Sequence, residues 1–344
     1  MLRSIRLNMI AAALAAATTF APGLADAQDK KLVLRVADQF PQGHFLPKYG
    51  IKPWMEQVTK ATNGQVQFEY YPAEQLGKAK DLLSIVQNGV ADVVLFAPSY
   101  ASDKMPLTAA MELPGMFTSS CQGYPVFAKL ARPEGILGRQ EYGPNGVRVL
   151  FAAPYPPYQM VSAKRKIDGP KDVEGMKLRV LGGAMELTVR RLKGVGVKMA
   201  STEAFEAISR GTLDGAIFSY GVTANYNIPA KYVTAGLGFG SAAAIFIISE
   251  NRWKQLPDSV KKAMTDAGVE AGAKLCAGMD EEEASYLEKL KAKGVTVVRW
   301  TGADKAEMDN LLADVARDWA AELDKRGKPG SEVLKAVREA RDGR

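Results

Sequence analysis

LLSIVQNGVADVVLF, from Leu82 to Phe96, and AFEAISRGTLDGAIF, from Ala204 to Phe218, follow one plan. In register, Gly89 falls on Gly211, Asp92 on Asp214 and Phe96 on Phe218. Each stretch has an apolar helical face, a glycine, and a short apolar run ending in an aromatic residue. Glycine just past a helical pattern is a stop signal, because it enters the left-handed conformation at little steric cost. The apolar run after it suits a strand buried on both faces of a parallel sheet. Two such units about a hundred residues apart predict two α/β lobes of similar design. The cleft between lobes is then the favoured place for a small-molecule site. Helix–glycine–strand units recur throughout α/β folds, so the pairing locates a cleft without naming what enters it.

Outward from these units the same alternation continues. Lys31 to Ala37 reads as a strand, Asp38 to His44 as a loop, Phe45 to Thr62 as a helix and Gln65 to Tyr71 as a strand. Further strands are predicted at Val147–Ala152, Gln159–Ala163, Lys177–Val180, Val195–Met199, Ala243–Ile248 and Val295–Trp300, with a helix over Ala184–Lys193. This β-α-β-α-β order argues for parallel strands covered by helices. From Pro257 to Lys293, apolar residues recur at spacings of three and four, the period of a helix that would run about 50 Å. Gly268, Gly272 and Gly278 are candidate bend points, and one helix or two remain open. Ser331, followed by Glu332, is the expected cap of the last helix.

The first residues read as an export leader. Arg3 and Arg6 precede the apolar run Met9–Phe20, and Ala25-Asp26-Ala27 supplies a cleavage site. The run is too short to span a bilayer, so residues 1–27 are expected to be a signal peptide. The chain has 344 residues and a formal net charge of +7. Its basic residues are interleaved with acidic ones rather than gathered into a block, which argues against nucleic-acid binding. Cys121 and Cys276 are the only cysteines. An oxidising compartment permits a bridge, but the spacing does not predict one, and two buried free thiols are expected.

Most catalytic constellations are missing. With His44 as the sole histidine, His-rich metal sites and His-paired clusters are excluded. No G-x-S-x-G, P-loop or G-x-G-x-x-G lies between a strand and a helix. Gly182-Gly183 follows a strand but falls short of a phosphate-binding loop. His44 is read as a hydrogen-bonding residue at a loop or helix start. Arg179 stands out, because on the strand Lys177–Val180 it points opposite to Leu178 and Val180. A solvated strand face and a cleft-facing anchor for an organic carboxylate both remain open from spacing alone. A guanidinium fork matches a carboxylate bidentately, which is the chemistry of the second reading.

Three segments carry a resemblance. Tyr71-Pro72-Ala73-Glu74-Gln75-Leu76-Gly77, Asp172-Val173-Glu174-Gly175-Met176-Lys177-Leu178-Arg179-Val180 and Gly211-Thr212-Leu213-Asp214-Gly215 resemble the Y-P-x-x-Q-L-G, D-L-x-G-x-K-[IL]-R-V and G-x-x-D-G segments of solute receptors from tripartite ATP-independent periplasmic (TRAP) transporters, of the DctP type. The resemblance covers nearly all of the chain after the leader. It implies a periplasmic two-lobed binding protein (type II-like), each lobe a mixed sheet flanked by helices, with a long helix spanning both. It implies too that Arg179 grips a carboxylate and that the bound acid is passed to the transporter's membrane subunits. The implied division is 28–153 plus about 239–275 for lobe I, 154–238 plus about 276–300 for lobe II, and 301–344 for C-terminal helices.

Two departures shape the expected ligand. The segment Tyr155–Met160 has no arginine, where relatives that take acidic sugars or dicarboxylates often carry a second one. After Asp214-Gly215, where many relatives have a carboxylate, Ile217 and Phe218 stand, which argues against a bound metal because hard cations need oxygen ligands. The expected ligand is a monocarboxylate with an apolar or aromatic body, held by Arg179, Phe218, Tyr158, Tyr155, Gln159 and Tyr220, with Phe40, Gln39 and His44 from the first lobe. Phe96 is a further candidate, with core and cleft both open. No cofactor, metal, nucleic acid or membrane insertion is expected, and the protein is expected to be monomeric and not an enzyme. An exported enzyme on organic acids and a ligand-presenting subunit of a sensor are the alternatives.

Overall fold

The computed structural model describes residues 31–343. The leader expected over residues 1–27 lies outside them. Eleven strands are found among the described residues: β1 (Leu32–Asp38), β2 (Val66–Tyr71), β3 (Val93–Phe96), β4 (Val147–Pro154), β5 (Gln159–Ser162), β6 (Lys177–Val180), β7 (Val195–Lys198), β8 (Gly215–Phe218), β9 (Tyr232–Ala235), β10 (Ala243–Ser249) and β11 (Thr296–Arg299). They form two sheets, ordered β2-β1-β3-β10-β4 and β11-β9-β5-β8-β6-β7. In the first, β1 runs parallel to β2 and β3, while β10 is antiparallel to β3 and β4. In the second, β6 is parallel to β7 and β8, while β5 is antiparallel to β8 and β9. The protein is thus a two-lobed α/β molecule with a mixed sheet in each lobe. Among the described residues no helix is long and apolar enough to cross a membrane.

The two matched stretches occupy equivalent places. Gly89 (φ 70°) and Gly211 (φ 74°) each end a helix in the left-handed region. Asp92 accepts from the Arg35 amide (2.7 Å) and donates its own amide to the Arg35 carbonyl (2.9 Å). Asp214 does the same at Lys177 (2.8 and 2.9 Å). The aspartate therefore locks the entering strand onto its parallel neighbour in both lobes. Two residues further along those neighbours stand Ala37 and Arg179, so the second lobe carries a cation where the first has a methyl group.

The chain passes between the sheets three times. Tyr155–Tyr158 links β4 to β5, and residues 236–242 link β9 to β10. These two connections pair with each other through Tyr155 N–Ala242 O (2.9 Å), Tyr158 N–Gly240 O (2.8 Å) and Phe239 N–Tyr158 O (3.0 Å). The third crossing is the helix Asp258–Ala292, 35 residues long and unbroken. Its glycines are not bend points. A Cβ at Gly268 would overlap the Leu150 carbonyl oxygen, and one at Gly272 the Tyr124 ring, so they permit close packing. One turn of this helix serves both lobes. Asp280 accepts from the Ser120 and Cys121 amides (2.7 and 2.8 Å) at the start of helix Ser120–Ala131. Glu283 accepts from the Tyr220 and Gly221 amides (2.7 and 3.1 Å) at the start of helix Tyr220–Asn225. Carboxylates suit such ends, where unpaired N–H groups carry partial positive charge.

Two expectations are corrected here and a third, the helix after β1, is refined. Cys121 and Cys276 are disulfide-bonded, with Cα atoms 4.9 Å apart. The long helix crosses the first turn of Ser120–Ala131 and brings together residues that sequence separation gave no reason to pair. Ser331 does not cap the last helix, which runs from Gly330 to Arg341 with Pro329 before it. Its amide is bonded instead to the Asp324 carboxylate of the preceding helix (3.0 Å). The predicted helix Phe45–Thr62 is a π-helical turn, Leu46–Ile51, leading into an α-helix, Lys52–Ala61.

Candidate functional site

Arg179 is fully buried at the junction of the two sheets. Its Nε donates to the Met199 carbonyl (2.9 Å), and its Nη2 donates to the Ser201 and Tyr100 hydroxyls (3.1 and 3.2 Å). The guanidinium carbon lies 4.4 Å from the centre of the Phe218 ring, a cation–π arrangement. Nη1 has no hydrogen-bond partner. Leaving a buried charged donor unsatisfied costs free energy, so this atom is a place where an anion would be stabilised. Glu112 is also buried and close enough to feel this charge. Burial pushes its carboxyl up to about 8, so at neutral pH it is largely protonated and leaves the charge of Arg179 uncancelled.

Beside Arg179 lies a small cavity lined by Gln39, Phe40, His44, Tyr100, Tyr155 and Tyr158, together with Ala97, Leu181, Ser201, Val222, Tyr226 and Ala242. Its volume is only about 20 Å³. Contacts between the lobes shut it: the Tyr100 hydroxyl meets the amide and hydroxyl of Ser201 (3.2 and 3.3 Å), and Lys198 Nζ donates to Ser102 (2.8 Å). Gly182 (φ 130°) belongs to the same closure, since a Cβ there would press on the Ser99 carbonyl oxygen.

The loop after β1 is held by the segment Tyr71–Gly77. The Ala73 amide bonds the Phe40 carbonyl (3.1 Å), and the Glu74 amide bonds the Asp38 carbonyl (3.0 Å). Ala73 and Glu74 both adopt positive φ (53° and 62°) to make this turn. Asp38 braces it from within, accepting from the Phe40 amide (2.6 Å) and the Tyr70 hydroxyl (2.7 Å); burial pushes its carboxyl up to about 6. His44 opens the helical segment that follows. Its Nδ1 accepts from the Leu46 amide (3.2 Å), and burial pushes its pKa down to about 3, so the imidazole is neutral. Burial likewise holds the hydroxyls of Tyr155, Tyr158 and Tyr226 well above their ordinary range, so each remains protonated and able to donate.

The structure thus brings Gln39, Phe40, His44, Tyr155 and Tyr158 to one cavity, with Arg179 beside it and Phe218 beneath the guanidinium. Three expected residues lie elsewhere. Phe96 is in the hydrophobic core, paired with Ile245 across β3 and β10. Gln159 turns away to bond the Leu237 carbonyl and the Thr234 hydroxyl, and Tyr220 donates to the Thr234 carbonyl (2.8 Å). Both face a separate, wider groove beside the long helix. Alternation along β5 explains Gln159, because its neighbour Tyr158 already takes the cavity side. Tyr100, Ser201 and Tyr226 were missed: each lies in or at the end of a short helical segment with no periodic pattern pointing at the cleft.

The model of the family described as bacterial extracellular solute-binding protein, family 7 (DctP), matches residues 37–322. The chain belongs to this family. It is therefore a DctP-type extracellular receptor, a binding protein and not an enzyme. It is 27% identical over 336 residues to the C4-dicarboxylate-binding periplasmic protein DctP of Rhodobacter capsulatus, covering 93% of this chain and 92% of that one. Its fold matches, with a TM-score of 0.84 and 23% identity, a TRAP solute-binding protein of an unidentified marine microbe crystallised with 3-hydroxybenzoate; 91% of this chain and 98% of that one are covered. It also matches, with a TM-score of 0.81 and 21% identity, a TRAP solute-binding protein of Rhodoferax ferrireducens that carries benzoate, over 91% and 98% of the two chains.

Proposed function

We propose that this DctP-type receptor binds an aromatic or otherwise apolar monocarboxylate between its lobes and delivers it to the membrane subunits of an ion-gradient-driven TRAP transporter. The observation that carries the reading is Arg179 Nη1, a buried cationic donor without a partner, beside a cavity walled by Phe40, Tyr155 and Tyr158. No lysine or arginine is among the cavity's lining residues, so one carboxylate can be neutralised and a second would be buried without a countercharge. This sets the chain apart from its C4-dicarboxylate-binding relative and nearer the two structural neighbours that carry benzoates. A cavity with room for about one water cannot take such an acid as it stands, so the lobes must part to admit it. The paired connections Tyr155–Tyr158 and 239–242 are the hinge of this motion, with the lobes divided as 28–153 plus about 239–275 and 154–238 plus about 276–300. Closure then excludes water and strengthens the ion pair.

The test is a thermal-shift screen over aliphatic, dicarboxylic and aromatic acids, followed by calorimetry on Arg179→Ala. Removing one partner of a buried charge pair costs about 2–5 kcal/mol, roughly 30- to 5,000-fold in Kd. Affinity for the cognate acid that survives in Arg179→Ala, with the fold intact by circular dichroism, sinks the assignment.

A further inference from the structure

Six buried side-chain polar atoms have no hydrogen-bond partner among the described residues. Two of them, Arg148 Nε and Arg252 Nε, are in ion pairs with Glu250 (2.9 Å) and Asp92 (2.8 Å). The other four are Arg179 Nη1, His44 Nε2, the Tyr226 hydroxyl and Gln39 Oε1. His44, Tyr226 and Gln39 all line the single cavity beside Arg179. Buried polar groups are nearly always paired, so three orphans lining one small space, with a fourth beside it, mark a place built to hold a polar group. A carboxylate at Arg179 accounts for one of them. The remaining three are satisfied by a water while the lobes are empty, and by a polar group on the acid once it takes that space.

Their chemistry is specific. His44 Nδ1 accepts from the Leu46 amide, so on the neutral ring the proton resides on Nε2, which is therefore a donor. Phe40 stacks on this ring at 4.7 Å and Phe45 packs at 4.0 Å, which fixes its orientation. Tyr226 lies 5.8 Å away, centre to centre, and keeps its hydroxyl proton. Gln39 Nε2 reaches the Tyr100 hydroxyl (3.5 Å), which leaves Oε1 as an open acceptor. Two donors and an acceptor suit a hydroxyl, which accepts and donates at once; a ketone or ether only accepts.

Resting on the monocarboxylate reading above, we propose that the cognate ligand is a hydroxylated acid whose hydroxyl is read by His44 Nε2, the Tyr226 hydroxyl and Gln39 Oε1. His44 is then a specificity residue, through a tautomer set by its own backbone neighbour. A receptor built this way discriminates strongly against the ligand lacking the hydroxyl, because its own buried groups are then left unpaired.

The experiment is calorimetry on matched pairs: benzoate against its three monohydroxy isomers, and phenylacetate against mandelate and the hydroxyphenylacetates. The expected result is one hydroxylated acid bound about tenfold or more tighter than its parent. The ratio of parent Kd to hydroxylated Kd should collapse toward one in His44→Asn, which keeps an acceptor for the Leu46 amide and lacks the Nε2 donor. It should fall several-fold in Tyr226→Phe, which preserves the ring. If parent acids bind in an Arg179-dependent way and no hydroxyl tightens them, this proposal is overturned and the monocarboxylate reading stands. A preference that persists unchanged in both variants overturns it as well. If no acid of either set binds, this proposal is overturned, and the aliphatic arm of the thermal-shift screen decides the monocarboxylate reading.

Discussion

Breaking the Cys121–Cys276 bridge should destabilise the receptor substantially without altering ligand specificity. The two cysteines are 155 residues apart. In the chain-entropy picture, opening a loop of that length frees the unfolded chain by an amount worth about 5 kcal/mol at 25 °C. Measured losses for native disulfides fall at about 2–5 kcal/mol. For a chain of this size, with an unfolding entropy of about 2.1 cal/mol/K per residue, that corresponds to a fall in Tm of roughly 3–8 °C. The bridge lies where the long helix meets the first turn of helix Ser120–Ala131, and Asp280 still caps that turn without it. Neither cysteine lines the cavity. The double variant Cys121→Ala/Cys276→Ala is compared with the wild type by scanning calorimetry and urea titration, and ligand Kd is measured on both. The urea m-value should rise as well, because the uncrosslinked unfolded chain exposes more surface. Two titratable thiols in non-reduced wild-type protein, or a Tm change below about 1 °C, would refute the reasoning.

Two further outcomes follow from half-buried polar groups that tie the lobes together. Desolvation of the half-buried Glu283 carboxyl outweighs the two amides it accepts from and raises it to about 7 from an ordinary 4.5, so the fold favours its protonated form. That contribution is fully present below pH 4.5 and is lost as pH rises through 7, at up to about 1.4 kcal/mol per pH unit. Glu283→Gln should therefore flatten the fall in Tm between pH 5 and 7. Asp38, Glu141 and Glu112 are raised in the same direction and keep their own share of the slope, so unchanged slopes in the variant count against the reading. Tyr100→Phe deletes the hydroxyl that joins Arg179 and Ser201 across the cleft. Ligand dissociation should speed up by about 5- to 30-fold in stopped-flow measurements, in line with about 1–2 kcal/mol for hydrogen bonds of which one is to a charged group. An unaltered off-rate would show that this contact does not hold the lobes shut.

Much of the fold was legible because it rests on local rules. The strand Lys177–Val180 is found where the alternation put it, and Gly89 and Gly211 end their helices as left-handed glycines. The long helix was readable from its period, whereas its continuity was not. Gly268 and Gly272 look like breakers in isolation and become packing sites only once Leu150 and Tyr124 lie against them. The candidate site was legible in part. Arg179, Phe218, Tyr155, Tyr158, Phe40, Gln39 and His44 were reachable from motif and strand-end position, while Tyr100, Ser201 and Tyr226 were not. Phe96 could not be sorted between core and cleft, since an apolar ring suits either.

The sequence by itself determined the two lobes, through a helix–glycine–strand unit whose aspartate ties each new strand to its neighbour, and it singled out Arg179. Tertiary structure alone decided that Arg179 Nη1 is left without a partner, that Cys121 meets Cys276, and that His44 presents a donor. The physical reason is the same in each case. Hydrogen-bond satisfaction and cross-linking are properties of atoms brought together from residues tens to hundreds of positions apart. No local pattern encodes which of those atoms will be paired when the lobes close.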